Sequence, residues 1–206
     1  MTELRQALNE INAIRAQVAR GSEFRGYGPL SIAASGVLAL LVAAAEARWL
    51  PDSGHDVGLF LSIWILTAAI AVTLTTVETI ARARRVHSGF AMQMIHAALE
   101  QFLPSIVVGI ALTVVVTRVA RDEVWMLPGL WQLVFGLGVF ASCRFLPRQM
   151  FAVGVWYLSA GLGSLLVASG SRTLLPWAMG IPFGAGQLLV AAVLYYGFEE
   201  PREQND

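Results

Sequence analysis

Six apolar stretches, each close to the thickness of a bilayer's hydrocarbon core, constrain this chain more than any other feature. They are Pro29–Trp49, Val57–Val77, Phe102–Thr117, Val124–Cys143, Met150–Ser169 and Pro176–Tyr196. A helix rises about 1.5 Å per residue, so roughly 20 apolar residues cross ~30 Å of hydrocarbon. No water reaches that layer to bond a bare N–H or C=O, so each spanning segment must satisfy its own backbone as a helix. The third stretch is the shortest and can extend at its start through Met92–Gln101. The sequence therefore predicts an all-α fold, a polytopic membrane bundle of six transmembrane helices over 29–196. An amphipathic cytoplasmic helix and linker precede it at 1–28, and a cytoplasmic tail follows at 197–206. The composition agrees, with 14% charged residues against about a quarter in soluble domains.

Orientation follows from the basic residues, all 14 of which are Arg. With the N-terminus inside, Arg5, Arg15, Arg20, Arg25, Arg82, Arg84, Arg85, Arg144, Arg148 and Arg202 are cytoplasmic, and only Arg48, Arg118, Arg121 and Arg172 lie outside. Cytoplasmic loops carry the excess of positive charge, so both termini are expected in the cytoplasm. Arg82, Arg84, Arg85, Arg144 and Arg148 are the expected topology anchors. Trp49, Trp125 and Trp177 fall at outer span ends, and Tyr27, Tyr195 and Tyr196 at inner ends, as interfacial belts require. Arg without Lys reads as GC-rich coding, so the expected location is a bacterial inner membrane. No cleavable signal peptide is expected, because a long charged segment precedes the first apolar stretch.

Two cytoplasmic pieces have substance. In residues 2–20, Leu4, Ala7, Leu8, Ile11, Ile14 and Val18 fall within an arc of about 120° on a helical wheel, and Gly21 follows as a stop. Such a face serves a membrane or cytoplasmic protein partner, self-association, or the headgroup region. Residues 1–28 carry four Arg against Glu3, Glu10 and Glu23, so attraction to anionic lipid is weak. The second piece begins with Glu78 and Arg82, spaced (i, i+4) in the favourable order. The second span is expected to end near Arg85 and break at Ser88-Gly89. An interfacial helix then feeds the third span, with Pro104 at that span's start.

Charge inside a span is the best pointer to function, because it costs at least about 2.5–3.5 kcal/mol. Glu46, Glu78, Arg118 and Arg144 all lie near span ends, where they can reach the interface. Glu78, beside Thr75, Thr76 and Thr79, is a candidate proton or cation site, or else a salt-bridge partner of Arg82. Gln132 and Gln187 lie inside spans; each can orient a ligand or join two helices with a hydrogen bond worth roughly 0.6 kcal/mol. His55, His87 and His96 have neither the depth nor the spacing for haem or metal, and Cys143 is alone, so no disulfide, metal or cofactor is expected. A zero net charge argues against nucleic acid as a partner.

Small residues mark candidate packing faces. Gly180 and Gly184 form one pair, Ser159 and Gly163 a second, Gly138 and Ser142 a third, and Pro182 should bend the sixth span. Leu127-Pro128 with Phe135-Gly136-x-Gly138 recurs as Leu175-Pro176 with Phe183-Gly184-x-Gly186, at an offset of 48 residues. That pattern suggests a duplicated hairpin. Phosphate loop, nucleophile elbow, HExxH and paired-carboxylate motifs do not occur.

The segments Leu127–Val139, Arg144-Phe145-Leu146-Pro147-Arg148 and Trp156-Tyr157-Leu158-Ser159-Ala160-Gly161 resemble an uncharacterised family of bacterial six-span membrane proteins. Its members begin with a short charged helix and a Ser-x-x-Phe step, here Ser22-Glu23-Phe24-Arg25. Ala19 stands where the family has an acidic residue. The resemblance implies a regulatory or stress-linked role, since such proteins are often encoded beside a winged-helix regulator, and it implies no catalytic residue. The expected function is a non-enzymatic sensor or accessory subunit acting through its cytoplasmic helix. The alternative is a small permease with its site among spans four to six.

Overall fold

The computed structural model describes residues 28–50, 56–86, 89–143, 146 and 148–196, and for 82–86 and 89–99 the backbone alone. The expected amphipathic helix at 2–20 lies outside the described residues. Six long helices follow one another: α1 Pro29–Trp49, α2 Val57–Val86, α3 Gly89–Val119, α4 Leu127–Ser142, α5 Met150–Ser171 and α6 Pro176–Tyr196. A 3-10 segment, Arg121–Met126, leads into α4. No strand occurs among the described residues. All six are long and apolar enough to cross a membrane, and the chain is a multi-pass helical membrane protein. Within the described residues of α2 and α3, the stretches apolar enough to span are Val57–Ala81 and Glu100–Val119.

Local chemistry sets the helix ends. The Asp56 carboxylate accepts the Leu59 N–H at 3.0 Å and caps α2. Pro29, Pro128 and Pro176 occupy first turns, where a missing N–H leaves no carbonyl bare. At the end of α5, Arg172 takes a left-handed conformation, φ 51° and ψ 33°, and its N–H bonds the Ala168 carbonyl at 2.7 Å. Pro104 departs from expectation. Because α3 starts at Gly89, Pro104 is interior to the helix and leaves the Glu100 carbonyl without its (i+4) donor. Glu100 is exposed, where water can serve that carbonyl.

The helices meet in the order α3, α4, α5, α6, α1, α2 around the bundle, with a further contact between α4 and α6. The α1–α6 pair is the most extensive and α4–α5 the next. Small residues explain both. A Cβ on Gly36 would lie 2.8 Å from the Gly184 carbonyl, one on Gly184 2.5 Å from the Leu40 side chain, and one on Gly180 would overlap Ala43. In the second pair, Gly129 and Gly161 approach so closely that a Cβ on either would lie 2.9 Å from the other's carbonyl oxygen; Gly136 meets Gly154 similarly at 3.3 Å. Here the sequence reading is corrected. Ser159 is exposed and a Cβ on Gly163 would meet nothing within 4 Å. The packed face of α5 is instead the one carrying Gly154 and Gly161, because α4 lies on that side.

The Phe135 ring lies at the centre of an aromatic cluster, 5.1 Å from Phe102, 4.6 Å from Tyr157 and 5.6 Å from Phe183 between centroids. Tyr157 and Phe183 are themselves 5.4 Å apart. Edge-to-face and tilted pairs of this kind add ~0.5–1.5 kcal/mol each beyond burial. Phe135 and Phe183 are equivalent positions of the 48-residue repeat, so the two copies meet through the same residue type.

By contrast, α2 packs mainly on α1, and α3 on α4 and the 3-10 segment. Although only residues 87–88 separate them, α2 and α3 scarcely touch among the described residues. Glu78 ties the far end of α2 back to the bundle, its carboxylate lying against Gly28 at the start of α1. An anion is favoured there by the exposed N–H groups and dipole of the helix. A Cβ at position 28 would occupy the carboxylate's place. Because only the flexible end of the Glu78 side chain must move aside, Gly28→Ala is expected to lower stability by about 1 kcal/mol, the low end for overpacked sites. A thermal unfolding midpoint in detergent unchanged from the parent would count against this.

Candidate functional site

Polar side chains inside the spans define the regions where chemistry is available. The first arises from Pro182, which lies inside α6 and carries no N–H. The carbonyl four residues earlier, that of Ala178, therefore lacks its helical donor. Gln132 of α4 supplies one: its Nε2 donates to the Ala178 oxygen at 2.6 Å. The Gln132 Oε1 in turn accepts from Ser164 Oγ of α5 at 3.2 Å. Gln132 is fully buried, and its amide joins three helices while repairing a backbone defect. Neighbouring helices commonly repair proline defects in membranes this way.

The indoles are used similarly. Trp131 of α4 donates to Thr113 Oγ1 of α3 at 2.9 Å, and Trp156 of α5 to the Pro182 carbonyl of α6 at 2.9 Å. Trp64 of α2 donates to Glu46 Oε2 of α1 at 3.0 Å. Glu46 is only 2% exposed, so it does not reach toward water as a residue near a span end was expected to. The indole N–H of a neighbouring helix holds its carboxylate inside the bundle. Trp49 and Trp177, with Tyr195 and Tyr196, are exposed at span ends. Trp125 is not part of that belt: it is buried, and it donates to Glu123 Oε2 at 2.8 Å.

Gln187 lies half-buried in α6 and donates to the Tyr157 hydroxyl at 3.4 Å. It also lines a cavity of about 90 Å³ between α1, α2 and α6, with Ser35, Trp64, Thr67, Met179 and Phe183 among the other walls. The hydroxyls turn away from this space. Ser35 Oγ donates to the Ile32 carbonyl at 2.7 Å and Thr67 Oγ1 to the Ile63 carbonyl at 2.8 Å, each on its own helix. The cavity is therefore apolar in effect, although three of its residues are polar.

The remaining sequence candidates are dispersed. Glu78 sits against Gly28, far from Gln132 and Gln187 along the helices. Arg148 is exposed. The side chains of Arg82, Arg84 and Arg85, and all of Arg144, lie outside the described residues, as do His55, His87 and the side chain of His96. Among the described residues, no three His, Cys, Asp or Glu side chains gather as metal ligands do. Cys143, half-buried just past the end of α4, is a free thiol. Ser142 Oγ, buried beside it, has no hydrogen-bond partner among the described residues.

Sequence reasoning missed the Glu46–Trp64 pair and the Ala178–Gln132 bond. The second left a signal, since a proline inside a span always bares one carbonyl and a mid-span amide is an obvious donor for it. Set against known protein families, curated proteins and solved structures, the chain matches none.

Proposed function

We propose that the protein is a non-enzymatic integral protein of a bacterial inner membrane, with both termini cytoplasmic, serving as a small sensor or accessory subunit through residues 2–20. What supports this reading is the use of the polar side chains inside the spans. The amides of Gln132 and Gln187 and the indoles of Trp64, Trp131 and Trp156 are all engaged in joining helices. A bundle whose polar groups hold it together leaves recognition to its surface, and the amphipathic segment at 2–20 is the most substantial surface element in the sequence. The family resemblance, with its regulatory setting, points the same way.

Deleting residues 1–20 is expected to leave insertion and the unfolding midpoint unchanged. Photo-crosslinks from Leu8 and Ile11 to a membrane or cytoplasmic protein, or to a second copy, depend on that segment as a helix. They should disappear when Leu4 and Ile14 are changed to Asp. The same crosslinked products in the Asp variant would overturn the proposal. The permease reading has no observation in its favour: the space among α4, α5 and α6 is filled by Phe135, Tyr157 and Phe183. Flux of any solute into liposomes, altered by Gln132→Leu or Gln187→Leu, would revive it.

A further inference from the structure

We infer that the cavity between α1, α2 and α6 is a site for the end of an unbranched hydrocarbon chain, entering sideways from the bilayer. Its depth is the first argument. Ala39 lines it and is the middle residue of α1, while Gln187 is close to the middle of α6. At 1.5 Å per residue, Ala39 lies ~15 Å from either end of its helix. Water is distant on both sides, and the ends of lipid acyl chains collect at this level. The second argument is access. Ala68 lines the cavity and is exposed on the bundle surface, and Ala71 and Gln187 beside it are half-buried. The mouth therefore opens along α2, a helix that packs mainly on α1.

The third argument is the wall. Trp64 is 3% exposed and Met179 5%, so an occupant reaching them must lie inside. Ser35 and Thr67 direct their hydroxyl protons to their own helices, and the Gln187 Nε2 is directed to Tyr157. A polar solute would lose its water and find few donors, whereas a methyl-terminated chain gains contact with Trp64 and Phe183. The size fits as well. About 90 Å³ is below the ~150 Å³ of an apolar cavity that admits benzene, so a few methylenes fit better than a ring.

The test uses the full-length protein in phosphatidylcholine liposomes with a photoreactive diazirine near the end of one acyl chain, and in a parallel arm a free fatty acid carrying the same group. Adducts are mapped by mass spectrometry. We expect adducts at Met179 and Phe183 as well as on the lipid-facing Leu66 and Ile70. Ala71→Phe should abolish those at Met179 and Phe183 and leave Leu66 and Ile70 labelled. Ala68→Leu, at the exposed mouth where the core is undisturbed, should reduce them in the same way and stands in if Ala71→Phe does not fold. Internal labelling by the phospholipid identifies a membrane lipid as the source, and labelling by the fatty acid alone identifies a free chain. Labelling confined to Leu66 and Ile70 in the unmodified protein, or internal adducts indifferent to both substitutions, overturns the proposal.

Discussion

Gln132→Leu is expected to destabilise the bundle by about 1–3 kcal/mol, the cost of leaving a buried polar group unpaired, and adding Pro182→Ala is expected to recover most of that loss. Hydrogen bonds between membrane helices average only ~0.6 kcal/mol, because the unfolded chain in lipid finds other partners. This bond should exceed the average. The Ala178 carbonyl has no donor in its own helix, since residue 182 is proline, and Gln132 alone reaches it from a neighbour. Alanine at 182 supplies the missing N–H at the (i+4) position, so the carbonyl no longer depends on α4. Pro182→Ala by itself should matter little, because both donors then serve one oxygen and the 182 carbonyl still accepts from Trp156. The measurement is a double-mutant cycle of reversible unfolding in mixed micelles. Additive effects of the two substitutions would show that Gln132 stabilises the bundle in some other way.

The second large effect separates two glycines two residues apart on α5, on opposite faces. Gly161→Ala should cost several kcal/mol, above the usual ~1–3 kcal/mol of overpacking, because the new Cβ meets the Gly129 carbonyl at 2.9 Å and the Leu133 side chain beside it. A backbone atom cannot rotate aside, so α4 and α5 must separate along the seam that also joins Gly136 to Gly154. Gly163→Ala should be neutral or slightly stabilising, since nothing lies within 4 Å and alanine is the better helix former by ~1 kcal/mol. Unfolding midpoints of the two variants decide the matter. Equal midpoints would remove the close α4–α5 approach from the account.

The contrast also shows what a membrane sequence conceals. Hydrocarbon as solvent made the spans legible, since length and apolarity suffice to mark Pro29–Trp49 or Pro176–Tyr196. The same solvent erases the cue that identifies faces. In a water-soluble helix a polar stripe shows which side is out, but α5 is apolar nearly all round, so spacing alone singled out Ser159 with Gly163 and passed over Gly154 and Gly161. Neighbour choice was legible only where loops are short, as between α5 and α6; nothing in the connections pairs α1 with α6. At the candidate sites, Gln132 and Gln187 were visible as mid-span amides, yet their roles depend on Pro182 and Tyr157, which are distant in sequence. Glu46 was read as a boundary residue because its position along α1 is visible and its partner on α2 is not.

The pairing of the first span with the last has a consequence for biogenesis. In a nascent chain α1 emerges before α6, its principal partner, and four other spans lie between them. Until then Gly36 and Gly184 cannot meet, and α1 is held by α2 alone, with the Trp64 indole already shielding the Glu46 carboxylate from lipid. The early hairpin thus protects its own charge, and closure waits until α6 emerges. Chains stalled before Pro176 should consequently persist as open, protease-sensitive intermediates, with α1 available to whatever insertion factor or helix encounters it first.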